Sequence, residues 1–180
     1  YFLTKNTSAT NGVFASINGL SSSPDFAAKI GIERDTALIS TLNIRYHADQ
    51  VTTKIGLDVL RDLKATNNRI TAGTSVHHLL FNELDIGNYR TFFKLKPPLR
   101  SNADREALTE AIREGLIDNI CSMHTPQDEE SKRLPFEEAA PGAVGLETIL
   151  PASLSLYHNR ILSLNQLFRL LALNPANIIK

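Results

Sequence analysis

Apolar residues recur at helical spacing between positions 25 and 42, where Phe26, Ile30, Ile32, Leu38, Ile39 and Leu42 follow Pro24, a residue suited to a helix start. The short run 43–48, Asn-Ile-Arg-Tyr-His-Ala, reads as a strand. A second helix follows through Ile55, Leu57, Val59, Leu60 and Leu63, closed by Asn67-Asn68, which completes one β/α unit. Residues 69–76 predict another strand. Residues 91–96 predict a further one that stops at Pro97-Pro98, where a ladder loses its donors. Ser101 with Asp104 three residues on is a capping-box-like start for a helix carrying Ala107, Leu108, Ala111 and Ile112, with Gly115 at its C-terminal end. Residues 116–123 return as a strand, and 147–157 and 164–173 predict two more helices. No internal repeat is evident.

Strands alternating with helices imply parallel pairing through right-handed crossovers, in a doubly wound sheet or a barrel. Roughly four strands are predicted, whereas a complete (β/α)₈ barrel needs about 250 residues. The expectation is therefore an α/β chain forming the C-terminal half of a (β/α)₈ barrel, with residues 1–180 as one partial barrel domain.

Composition narrows the function. With 42% apolar and 21% charged residues the chain can bury a sizeable core. Nineteen basic against nineteen acidic side chains give no electrostatic footprint for nucleic acid or an anionic membrane, so neither is an expected partner. The one cysteine, Cys121, cannot form an internal disulfide or a thiolate metal site, which points to the cytoplasm. No signal-like segment opens the chain, and the most apolar stretch, 167–179, is broken by Arg169 and Asn174-Pro175. The chain opens on Tyr1 rather than Met, as a processed or partial product would.

In such folds chemistry gathers at the C-terminal ends of the strands. Those places hold His47 with Gln50, the pair His77-His78, Lys96, and Met123-His124 with Gln127. The segment 125–146 has no periodicity, and its length marks it as a loop on the site side, a lid over the strand ends.

Lys96-Pro97-Pro98-Leu99-Arg100 with Asp104-Arg105 resembles the Asn-Pro-Pro-Leu-Arg run of the dihydroorotase family in the amidohydrolase superfamily. Cys121-Ser122-Met123-His124-Thr125-Pro126-Gln127 resembles the family's Ser/Thr-Asp-His-x-Pro-His. Tyr46-His47-Ala48-Asp49-Gln50-Val51-Thr52-Thr53 is similar to its His-x-x-His-Val-Ser-Thr, and Val76-His77-His78-Leu79 to its Pro-His-His-Leu. Lys132, Pro135-Phe136, Pro141-Gly142 and Gly145-Leu146-Glu147 resemble the loop that follows, and Asn174-Pro175-Ala176 the end of the barrel.

The resemblance implies zinc-dependent interconversion of N-carbamoyl-L-aspartate and dihydroorotate, and the chain departs from it at the residues that carry the chemistry. Gln50 stands where the family has a metal-binding His, and an amide oxygen is a poor substitute for an imidazole nitrogen at zinc. Met123 replaces the Asp that binds metal and shuttles the proton, and a thioether cannot act as a general base. Lys96 and Gln127 replace an Asn and a His that contact substrate. Taken singly, Met123 is ordinary core filling, Gln50 a tolerated variant, and His77, His78 and His124 hydrogen-bonded structural histidines. The family's His-x-His and its bridging ligands belong to a region that precedes this one.

The resemblance is nearest to the inactive dihydroorotase-like subunits that accompany bacterial aspartate transcarbamoylase. It implies a non-catalytic assembly partner of that enzyme in pyrimidine biosynthesis, with no cofactor. The alternative is an active zinc-dependent dihydroorotase with a rearranged site. A weaker third possibility is a sensor that keeps Lys96 and Arg100 for a carboxylate ligand.

Overall fold

The computed structural model describes residues 2–42, 44–67 and 69–180. Tyr1, Asn43 and Asn68, on which the chain opening, the start of the first predicted strand and the helix-closing pair fall, lie outside the described residues.

A short parallel ladder of β1 (Ala9–Thr10) and β2 (Ser22–Ser23) flanks α1 (Val13–Ile17). Then come α2 (Phe26–Leu42), β3 (Tyr46–Ala48), α3 (Lys54–Thr66), β4 (Ile70–Ser75) and α4 (Val76–Leu80). After two 3₁₀ turns the chain enters α5 (Asn102–Arg113) and β5 (Asn119–Cys121). It closes with α6 (Glu129–Arg133), α7 (Ile149–His158), α8 (Leu164–Phe168), a π-helical turn (Arg169–Leu173) and α9 (Asn174–Ile178).

Strands β3, β4 and β5 form a parallel sheet in that order, with Tyr46 beside Ile70 and Thr74 beside Ile120. Parallel neighbours joined by helices are the α/β arrangement the alternating pattern predicts. The strand predicted at 91–96 is absent: Thr91–Phe93 is a 3₁₀ turn, and Phe93 and Leu95 pack against a separate cluster built on Ile86, Leu99 and Phe136. That run owes its apolar residues to a side core, so among the described residues the sheet has three strands, not four.

The main core lies between the sheet and its helices. Leu57, Leu60 and Leu63 of α3 and Leu108 and Ile112 of α5 pack against Ile70, Ala72 and Ile120. Burying each large aliphatic side chain contributes about 1.5–3 kcal/mol. The helix starts are tied together by Asp104. Its backbone N–H bonds Ser101 Oγ at 3.2 Å, the Ser101 hydroxyl donates back to its carboxylate at 2.6 Å, and Oδ1 accepts the Lys54 amide at 2.8 Å. One buried carboxylate thus caps α3 while fastening the first turn of α5. At the other end of the sheet Asp118 Oδ2 accepts from Lys64 Nζ at 2.5 Å and from the Ala72 amide at 2.6 Å. No helix of the described residues is long and apolar enough to cross a membrane.

Candidate functional site

The C-terminal ends of β3, β4 and β5 open onto a cavity of about 250 Å³. Gln50, Ser75, His77, His78 and Met123 reach it from the strand ends, and Lys96, Thr125, Pro141 and Gly142 from the loops. A second cavity of about 370 Å³ shares Gln50 and Lys96 with it and takes in Arg100. The structure therefore brings together seven residues that the sequence singles out: Gln50, His77, His78, Lys96, Met123, Pro141 and Gly142. His47, Arg100, His124 and Gln127 do not line the first cavity. Ser75, Leu95 and Thr125 do, without having been anticipated. Ser75 carried a signal, since a Ser at a strand end ahead of a short apolar run is an N-cap, and its Oγ accepts the His77 amide at 3.1 Å.

The histidines have separate tasks. His78 is buried; its Nε2 donates to Pro98 O at 3.1 Å, so Nδ1 is the acceptor facing the Ser75 hydroxyl at 3.3 Å. Burial pulls its pKa down to about 4, against the opposing hydrogen bond to Pro98. His77 is also held below its ordinary range by burial, and its enclosed Nε2 has no hydrogen-bond partner among the described residues. His47 Nδ1 meets the Thr71 hydroxyl at 2.8 Å on the neighbouring strand. His124 is exposed, and its Nδ1 accepts from the amides of Gly145 and Leu146, both at 3.2 Å.

The loop 125–146 is bound down along its length. Ala143 bridges His124, Gly142 N donates to Lys94 O at 2.8 Å, and Gln127 Nε2 donates to Pro141 O at 3.3 Å. Its middle holds α6, begun by Asp128, whose carboxylate accepts the Ser131 amide at 2.8 Å. Lys94 and, within α6 itself, Lys132 are buried, each bonding a backbone carbonyl, at Glu137 and Thr91. Arg100 is buried too, its Nε and Nη1 on the Thr52 and Thr10 hydroxyls at 3.1 and 3.0 Å. Burial lowers its pKa, countered by the charges of Asp104 and Asp25. Cys121 donates to Thr74 O at 3.2 Å, and burial raises its thiol to about 11.

Gln50 and Met123 share a backbone peculiarity. Both are in the left-handed region, with φ of 55° and 44°. Among residues other than glycine that conformation is enriched several-fold in Asn, Asp and His, and it suits Gln and Met less well. The donor set of these residues does not fit zinc. No group of three His, Cys, Asp or Glu side chains able to hold a metal occurs among the described residues. Both nitrogens of His78 are engaged, and Gln50 and Met123 offer an amide and a thioether.

No protein-family model matches the chain. The fold matches L-hydantoinase from Arthrobacter aurescens with a TM-score of 0.81 at 26% identity, over 88% of this chain and 36% of that one. It matches dihydroorotase from Saccharomyces cerevisiae in complex with 5-fluoroorotic acid at 0.74, over 85% and 43%; at 16% identity this likeness shows the fold alone. The class so defined is the amidohydrolase type of α/β fold, of which the chain forms a part consistent with a partial barrel. Sequence similarity is narrower. The dihydroorotase of Ehrlichia canis is 38% identical over 179 residues, 99% of this chain and 40% of that protein. That of Listeria innocua is 42% identical over 141 residues, 78% and 33%. These homologues support the dihydroorotase family for this stretch of chain, which spans about 40% of the length of such relatives.

Proposed function

We propose that this chain belongs to a non-catalytic dihydroorotase-like protein of pyrimidine biosynthesis that serves as a structural partner of aspartate transcarbamoylase. One observation carries the reading. Gln50 and Met123 face one cavity from the ends of β3 and β5, at the two positions where the resemblance places a metal-binding His and a proton-shuttling Asp. Neither side chain replaces the lost chemistry: an amide is a weak zinc ligand, and a thioether accepts no proton near neutral pH. The barrel framework remains around them, with its buried Arg100, Asp104 and His78, which fits a protein kept for its surface rather than its site.

The test is purification of the protein from its own cells, with assay of what accompanies it. Aspartate transcarbamoylase in the same complex, in fixed ratio, is the expected result. A stable transcarbamoylase holoenzyme formed without this protein overturns the reading.

The similarity to the dihydroorotases of Ehrlichia canis and Listeria innocua favours a second reading, an active zinc-dependent dihydroorotase whose further ligands come from outside these residues. Stoichiometric zinc together with hydrolysis of dihydroorotate would establish it and remove the first.

A further inference from the structure

The turn Thr91–Phe93 and the loop that carries α6 together line a further cavity, of about 290 Å³. It shares His77, Leu95 and Gly142 with the cavity at the strand ends but takes in none of Gln50, Lys96 or Met123. Its walls are mostly apolar, built by Phe81, Phe92, Phe93, Leu95, Pro126 and Val144. Phe93 is held in place, edge-on to Phe81 at 5.1 Å between ring centres and under the Arg90 guanidinium at 4.6 Å. Phe92 is 73% exposed, so a ring bound beside it would remove apolar surface from water.

The wall also holds a buried charge. Lys132 lines the cavity and is only 7% exposed. Its Nζ donates to Thr91 O at 3.0 Å, and the Thr91 hydroxyl donates back to Lys132 O, which clamps α6 to the aromatic turn. One carbonyl leaves two of the three ammonium protons for other acceptors. Among the described residues no carboxylate stands within ion-pair distance of Lys132. Burial holds its ammonium below the ordinary lysine range, and the charge of Lys94 presses the same way. Buried charges are ordinarily paired, because an ion gives up much of its hydration on leaving water. Here the neighbouring charge is a second cation, so the fitting partner is an anion.

We propose that this cavity binds a small aromatic monocarboxylate, with its ring among Phe81, Phe92 and Phe93 and its carboxylate on the Lys132 ammonium. The size agrees: a cavity of about 150 Å³ already admits benzene, and this one leaves room for a short acid arm. The chemistry agrees as well, since small-molecule sites combine apolar walls with a few placed polar groups that fix orientation. The proposal does not rest on whether the strand-end residues bind metal or turn over a substrate.

The test uses the protein as its source makes it, titrated by calorimetry or ligand-observed NMR with phenylacetate, its uncharged amide phenylacetamide, and acetate. Phenylacetate is expected to saturate at millimolar concentration or below, phenylacetamide to bind about tenfold or more weakly, and acetate not to bind. Lys132→Met should lower phenylacetate affinity about tenfold or more and leave phenylacetamide nearly unaffected, while Phe92→Ala should weaken both ring compounds. Lys96→Ala, at the strand-end cavity, should leave phenylacetate affinity as it was. Absence of saturable phenylacetate binding, equal affinity for acid and amide, or loss of binding in Lys96→Ala each overturns the proposal. If Lys132→Met fails to fold, the acid and amide compared on the unaltered protein and on the Phe92 and Lys96 variants still decide.

Discussion

Gly145 lies directly against the carbonyl oxygen of Ser122. A Cβ at position 145 would stand 2.0 Å from that oxygen and 3.0 Å from His77 Nε2. The contact joins the loop that follows α6 to the end of β5, and His124 pins it by accepting the amides of Gly145 and Leu146.

Gly145→Ala is accordingly expected to destabilise the fold by about 3 kcal/mol or more, since a backbone oxygen cannot yield as a side chain can. Urea unfolding measures this. An unchanged midpoint would mean that the segment around Gly145 lifts away at little cost.

His78 gives a pH dependence of definite sign. Its folded pKa of about 4 lies below the ordinary 6.5, so between these values the unfolded chain binds a proton that the folded protein refuses. Stability should fall as pH drops from about 6.5 towards 4, by about 3 kcal/mol from this residue when the shift is taken at 1.4 kcal/mol per unit. His77 acts in the same direction. In His78→Gln the decline should be shallower, and denaturant midpoints measured at several pH values would show whether the two profiles differ.

Gln50→His with Met123→Asp should restore measurable zinc affinity, because both side chains already reach the same cavity. The backbone at both positions also suits the incoming residues better than the present ones. Met123→Asp alone is therefore expected to leave stability within about 1 kcal/mol of the original, despite the added charge. Turnover should stay negligible, because Lys96 and Gln127 still stand at the substrate contacts that the resemblance implies. Calorimetric zinc titration checks the first claim, and a folded double variant that stays metal-free would show a pocket reshaped beyond these two positions.

The pattern of the sequence reached most of the elements that serve the main core, the short α4 with Val76 and Leu79 excepted, and missed those that serve something else. Helices α2, α3 and α5 and strands β3, β4 and β5 each fall at their predicted places, because Leu57, Leu60, Leu108 and Ile120 are spaced by the core they enter. The strand expected at 91–96 failed because Phe93 and Leu95 face the smaller cluster around Phe136, and local spacing cannot distinguish two destinations for apolar residues. Strands β1 and β2 were illegible, being two residues each and rich in Ser and Thr. The convergence of Gln50, His77, His78 and Met123 was readable from the rule that sites lie at strand ends. The left-handed backbone at Gln50 and Met123 was not, since neither residue type advertises it.

Cys121 has a practical consequence. A thiol raised to about 11 and donating to Thr74 O is almost wholly unionised at neutral pH, hence a poor nucleophile towards maleimides or iodoacetamide. Within these 180 residues, a cysteine introduced at an exposed position would therefore take a fluorophore or spin probe in preference to Cys121.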